Sequence, residues 1–312
     1  MHRRFDEQID DLKQQLLLMS GRAESIIRKA VESLMRRDPA LAEQVFADDK
    51  AIDRMEVDIE EACIQLLALQ QPRSSGPEHD EMLFIVIHQV YELWFKEMLH
   101  ELAYLEKLLR DNATPRALHT LKRILTVLKV MVAQIDVLET MTPLEFLSFR
   151  DRLESGSGFQ SFQFRELEFV LGVKNTAAIA RYPEGSEARR RLEARYRAAT
   201  LWDAFLAYLV RNQYAVPPSQ ISRDVTRPVE PSREMQQILI GVYRTNPAVA
   251  SVCERLVDLD EGIMEWRYRH VKMVQRTIGT KPGTGGSTGA EYLETTLNKP
   301  AFPDLWAIRT EL

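Results

Sequence analysis

HDEMLFIVIHQVYELWFKEMLHEL, residues 79–102, is a helix-length apolar segment with a histidine set in its middle. On a 3.6-residue period Phe84 and His88 fall on one face, one turn apart, and Tyr91 and Phe95 continue that face. A second stripe, Leu83, Ile87, Val90 and Trp94, faces a core. From Met82 to Ile87 the segment is apolar nearly all round, which predicts a buried helix. A buried imidazole flanked by aromatic rings is either a core residue with ordinary hydrogen-bond partners or a site residue. The remainder of the chain decides between the two.

Outward from this segment the pattern stays helical. The chain has 312 residues, 45% hydrophobic and 28% charged, enough for one large core or two smaller ones. Only thirteen Gly and no sustained alternation of apolar and polar residues argue for an all-α fold. Upstream, Phe5, Ile9, Leu12, Leu16, Met19, Ala23, Ile26 and Ala30 recur at coiled-coil-like steps. RRDPA at 36–40 breaks them, with Asp38 as N-cap and Pro39 at the first helical position. Val45, Ile52, Met55, Ile59, Ala62 and Leu66 form the seam of a return helix. QQPRSSGPEHD, 70–80, reads as a linker. The domains expected are a helical hairpin over 1–72 and a helical bundle over 73–312. Within the bundle, helices are predicted near 80–110, 115–138, 143–153, 161–172, 187–211, 232–245, 247–278 and 290–296, with a proline-rich surface loop at 213–231.

Composition removes several function classes. A net charge of −5 with scattered basic residues gives no stripe for nucleic acid. No run of 18 apolar residues predicts a membrane span, and the N-terminal residues lack the apolar core of a secretory signal. Cys63 and Cys253 stand far apart, as in a reduced, cytoplasmic protein.

Five features carry possible chemistry. GTKPGTGGSTG at 279–289 follows a helix and lacks the ending of a phosphate loop, so it reads as a linker or as a lid in which Thr284 offers a hydroxyl. His270, in EGIMEWRYRHVKMVQRTIG, is either a partly buried imidazole donating to a carbonyl or an axial ligand to haem iron. Glu97–x–x–His100 is half of a di-iron motif without a second copy, and reads as a solvated edge. Arg150, beside Phe146, Leu147 and Phe149, is either salt-bridged to an acid such as Asp151 or a fork for a substrate carboxylate. Asp49 and Asp53, one turn apart in an acidic run, read as a solvated face or as ligands for a hard cation.

Positions from about 67 to 310 resemble the tryptophan 2,3-dioxygenase family. The resemblance rests on LLALQQP at 66–72, the segment 79–102, LETMTPLEFLSFRD at 138–151, SGFQSFQFRELEFVLG at 157–172, WRYRH at 266–270 and GTGGSTG at 283–289, in the family's order. It implies an all-helical homo-oligomer (tetramer or dimer) that binds haem b. The implied enzyme inserts both atoms of O2 across the indole 2,3 bond of L-tryptophan or a related indole, giving N-formylkynurenine on the kynurenine pathway of tryptophan catabolism. Residue by residue, it makes His270 the haem ligand and His88 the catalytic group that meets the indole N–H. Phe84, Phe146, Phe149 and Leu153 become pocket walls, Arg150 the carboxylate fork, and Thr284 a contact of the closing loop. Residues 1–72 resemble the first two helices of a PhoU-like protein, including its D-x-x-x-D element at Asp49 and Asp53.

Two departures bear on substrate choice. The tyrosine-containing segment that the family carries ahead of 79–102 is replaced by DIEEACIQLL, 58–67, and a pocket tyrosine is replaced by Phe146. Loss of hydrogen-bonding groups changes substrate preference. The alternatives are therefore a relative with an altered substrate or mono-oxygenation, and a non-enzymatic PhoU-like regulator that senses haem.

Overall fold

The computed structural model of the chain describes residues 2–69, 78–151, 153, 161–281, 297 and 299–312, with side chains left out at 2–10, 57 and 60–69. It divides into two compact units, residues 1–77 and 78–312. Among the described residues there is no strand.

The first unit is a hairpin of α1 (His2–Arg36) and α2 (Pro39–Leu69). Its turn is made by Arg37, at a left-handed φ of 50°, followed by Asp38. Asp38 Oδ1 accepts from the backbone N–H groups of Ala40 at 3.0 Å and Leu41 at 3.2 Å, satisfying donors that the first turn of α2 leaves open. The seam pairs partly buried Leu12, Met19, Ala23, Ile26 and Ala30 with Val45, Ile52, Met55 and buried Ile59. Leu16, expected in this seam, is exposed, because the three- and four-residue steps from Leu12 to Met19 pass through Gln15.

The second unit is a helical bundle around α3 (His79–Arg110), α4 (Thr114–Leu138) and α12 (Pro247–Ile278). Between α4 and α12 in the chain lie α5 (Pro143–Arg150), α6 (Phe162–Val170), α7 (Thr176–Ile179), α8 (Glu187–Arg197), α9 (Leu201–Arg211), α10 (Pro218–Ile221) and α11 (Arg233–Thr245). A short α13 (Pro303–Ala307) and a 3-10 turn end the chain. α4 packs on both α3 and α12, and α5 touches both as well. The core joins Met98, Leu102, Leu105 and Leu109 of α3 to Leu121, Ile124 and Met131 of α4, Trp202, Phe205 and Tyr208 of α9, and Cys253, Leu256 and Leu259 of α12. Burial pushes the Cys253 thiol up to about 12, so it behaves as a small apolar side chain.

The C-terminal segment is fastened by buried carboxylates. Asp260 accepts from the backbone N–H groups of Ala301 (2.9 Å) and Phe302 (3.1 Å) and from Trp306 Nε1 (2.9 Å). Asp304 Oδ1 accepts from Ser232 N and Gln236 Nε2, which ties α13 to the start of α11.

In the second unit several expectations change, among them the loop predicted over 213–231, which contains α10. The helix predicted over 187–211 is two helices, because Thr200 and Asp203 form a capping box that opens α9 after extended backbone at Ala198. The helix predicted over 143–153 ends at Arg150. Met82 and Val86, expected to be buried, are exposed. The helix predicted at 290–296 lies outside the described residues.

Gly262 marks the closest approach of α12 to α4. A Cβ there would stand 2.5 Å from Leu128 Cδ2. Gly to Ala inside a helix ordinarily stabilises by about 1 kcal/mol. At this position overpacking outweighs that gain, and Gly262→Ala is expected to destabilise by roughly 1–3 kcal/mol. Urea midpoints of the two proteins check this; a midpoint that rises in the variant would mean that Leu128 yields freely.

Candidate functional site

Three helices bring aromatic and titratable side chains together. On α3, Phe84 and His88 stand one turn apart with ring centroids 4.1 Å from each other. His88 Nδ1 lies 2.7 Å from the Phe84 carbonyl oxygen. A carbonyl only accepts, so Nδ1 carries the proton, and in the neutral ring Nε2 is left as an acceptor. Burial lowers the His88 pKa from its usual value, against weaker opposing effects of the Phe84 carbonyl and of Glu92 one turn on. The same helix is anchored to α4 by Tyr91, whose hydroxyl donates to the Met131 carbonyl at 2.7 Å.

α5 supplies the second wall. Thr142 and Glu145 form a full capping box and Pro143 occupies the first turn, so eight residues suffice for a well-ended helix. Its Phe146 and Phe149 are buried, 5.4 Å apart, and each ring lies 5.6 Å from Phe84. Arg150, the last residue of α5, is partly buried, and Leu153 packs against the core just beyond it.

α12 supplies the third. Trp266 and His270, one turn apart, stack with ring planes 5° from parallel and centroids 5.3 Å apart. Trp266 also meets Tyr91, Phe95 and Phe164. Burial above all, with smaller effects of His88 and Arg165, drives the His270 pKa down to about 4. Its ring is therefore neutral at physiological pH and has no hydrogen-bond partner among the described residues. The Trp266 Nε1–H is buried with no acceptor in hydrogen-bonding geometry among them, the Tyr91 hydroxyl being the oxygen it acts on. Beside it, buried Glu168 accepts from two buried guanidinium groups, Arg165 at 2.5 Å and Arg267 at 3.1 Å. Arg269 pairs with Asp136 of α4 and with Glu139, the residue that caps its C-terminus, contacts that oppose rotation of α12.

The structure thus gathers Phe84, His88, Phe146 and Phe149 into one cluster, and the charge of His88 bears on the His270 pKa, which it lowers. Thr284 and the glycine segment from residue 282 on lie outside the described residues. Asp49 and Asp53 are exposed on α2, as is His100 on α3, and no group of three or more candidate metal ligands occurs among the described residues. No helix among them is long and apolar enough to cross a membrane. Sequence reasoning assigned no role to Trp266, Arg165, Glu168 or Arg267. The available signals were Trp266 four residues before His270, and Arg165 three before Glu168, the spacings that place side chains on one helix face.

Comparison with known proteins adds an independent observation. Residues 62–213 and 186–312 match the family profile described as Tryptophan 2,3-dioxygenase, and residues 16–91 match that of the PhoU domain. The chain is 63% identical over 248 residues to a protein of Herpetosiphon aurantiacus named tryptophan 2,3-dioxygenase, covering 80% of this chain and 95% of the relative. Proteins of the same name from Anaeromyxobacter sp. (strain K) and Caulobacter vibrioides are 57% and 43% identical, covering 80% of this chain and 92% and 95% of their own lengths.

The depressed pKa of His270 has a consequence for stability. Unfolded, this imidazole takes a proton below about pH 6.5; folded, it does not until about pH 4. Between those values the unfolded state binds more protons, so stability falls as the pH drops through that window. In the ligand-free chain the urea midpoint should decline from pH 7 to pH 4.5, and His270→Gln should make that decline shallower. Equal slopes in the two proteins would show that the folded imidazole titrates normally.

Proposed function

The chain belongs to the tryptophan 2,3-dioxygenase family, and from that premise we propose that it is a haem-dependent oxidoreductase of L-tryptophan. In the proposed reaction both atoms of O2 enter across the indole 2,3 bond, giving N-formylkynurenine. The observation that carries the reading is the match to these relatives over 80% of the chain, with Phe84, Phe146 and Phe149 clustered beside His88 and a neutral His270 on α12.

The residues present fit a haem. His270 offers a neutral imidazole whose nitrogens meet no donor or acceptor among the described residues, and it would hold the haem iron. Trp266 Nε1–H, buried with no acceptor in hydrogen-bonding geometry, and the neighbouring Arg165 suit the carboxylate edge of such a group. Bound there, haem supplies the redox chemistry by which O2 reacts with the indole ring.

The protein's own part is binding and orientation. Phe84, Phe146, Phe149 and Leu153 wall the indole and exclude water. His88 Nε2, held as an acceptor by the Phe84 carbonyl, takes the indole N–H and fixes which edge of the ring faces His270. Arg150 grips the substrate carboxylate, and Thr284 meets the amino-acid end. Residues 73–312 form the catalytic domain and 1–72 the PhoU-like hairpin. We further propose a cytoplasmic homo-oligomer, tetramer or dimer.

Purified protein should show a Soret band and, with ascorbate and O2, convert L-tryptophan to N-formylkynurenine. His270→Ala should lose haem; full haem content in that variant would sink the ligand assignment. Arg150→Ala should raise KM for L-tryptophan by roughly 10- to 150-fold, the value of a charge-assisted hydrogen bond. His88→Ala should keep its haem and lose only about 2- to 12-fold in kcat/KM, since a hydrogen bond to a neutral N–H is worth about 0.5–1.5 kcal/mol.

A further inference from the structure

A two-helix hairpin has one seam and two open faces, and one face of this hairpin is apolar where solvent would require it to be polar. The residues that follow the seam positions Ile26, Ala30 and Ser33 of α1 are Ile27, Val31 and Leu34, which are 66%, 52% and 79% exposed. The residue that follows the seam position Val45 of α2 is Phe46, 68% exposed. α1 and α2 run in opposite directions, so a step of one residue beyond the seam turns the side chain to the same side of the hairpin on both helices. These four side chains therefore form one patch next to the turn. Apart from Ile59, no hydrophobic side chain of the hairpin is fully buried among the described residues. A pair of helices that buries so little gains most of its stability from whatever covers the patch.

We propose that this patch is covered by the same patch of a second copy of the chain, making a four-helix bundle in which α1 of each copy lies against α2 of the other. Charge favours this pairing. From Asp11 to Arg36, α1 carries five Lys and Arg against three Asp and Glu; from Pro39 to Ile59, α2 carries two against six. Packing α2 on α2 would bring Asp49, Asp53 and Glu56, which continue the Phe46 face away from the turn, against the same acids of the other copy. Packing α1 on α2 avoids this. The level of each residue follows from the Lys29–Asp48 salt bridge at 2.6 Å, which sets those two positions opposite each other. Two residues up α1 and two down α2, Val31 stands level with Phe46. One residue the other way, Arg28 stands level with Asp49. A two-fold axis along the bundle superimposes the two patches with both turns at one end and sets Val31 against Phe46 of the partner. A two-fold axis across the bundle would lay each patch over the acidic half of the other hairpin.

The test uses full-length chains in a Cys63→Ser background. Val31→Cys and Phe46→Cys proteins carrying different tags are co-expressed and mildly oxidised. A disulfide-linked pair that carries both tags is expected, in at least tenfold excess over Val31→Cys homodimers. Addition of Ile27→Glu to both chains should cut its yield at least tenfold while absorbance and turnover stay unchanged. Absence of the mixed pair, predominance of Val31→Cys homodimers, or a yield unmoved by Ile27→Glu would each overturn the proposal. The Ile27→Glu comparison separates a contact made by the patch from proximity imposed by oligomerisation of the second unit, since only the former is lost in that variant.

Discussion

Burial keeps His270 uncharged down to about pH 4, and much of the second unit is arranged so that this ring stays buried and correctly turned. Trp266 lies parallel to it one turn earlier, and Tyr91, Phe95 and Phe164 pack round that indole from α3 and α6. A neutral imidazole in such surroundings costs little, whereas an imidazolium would have to be desolvated without a partner. Charges that the region does bury are satisfied by each other, as where Glu168 bridges Arg165 and Arg267. Removal of Glu168 would leave two guanidinium groups in a low-dielectric setting, a greater penalty than the loss of either hydrogen bond alone.

The helix that bears His270 is held along its whole length. At its start Asn246 caps Val249 N, and Pro247 occupies the first turn. In its middle Asp260 collects three donors from the C-terminal segment, and Gly262 lets α4 approach where a methyl group would not fit. Further on, Arg269 reaches Asp136 and Glu139. Each of these contacts opposes rotation of α12 about its axis, and rotation is the motion that would carry His270 away from His88. Precise placement of a few polar groups on a rigid scaffold is what such a pocket requires.

The all-helical class was legible because the apolar residues recur at helical steps and strong signals bound the helices: Asp38–Pro39 caps as read, and Thr142–Pro143–Glu145 and Asn246–Pro247 cap the helices that follow them. The break at Ala198–Thr200 was missed because Thr200 and Asp203 lie within an otherwise continuous helical pattern, and Arg223, twenty residues on, completes their network. Leu16 was misplaced because three consecutive leucines leave the seam phase undecided locally; only packing against α2 selects Gln15. At the site, Phe84, His88, Phe146, Phe149, Arg150 and His270 could be named from sequence blocks. The tautomer of His88 could not, since it follows from a 2.7 Å contact that depends on a rotamer. The lack of a well-placed acceptor for the Trp266 N–H was equally hidden, because it is a property of the surroundings and not of the residue.

Phe146 shifts the burden of recognition within the proposed pocket. Its ring packs 5.6 Å from Phe84 and 5.4 Å from Phe149, so this wall is hydrocarbon on three sides and contributes no hydroxyl. An apolar wall discriminates weakly between ligands of similar shape, by about 1–3 kcal/mol for a methylene, whereas a buried polar group left unpaired rejects a ligand far more strongly. The polar handles that remain are His88 Nε2 at the ring edge and Arg150 at the carboxylate. The Phe84 carbonyl leaves His88 Nε2 as an acceptor, so in the proposed site an indole with its N–H would satisfy it and an N-alkylated ring would leave that acceptor bare. In the proposed site, therefore, selection for the indole N–H would rest on the backbone of α3 itself, through a carbonyl that the helix presents one turn before the histidine it constrains.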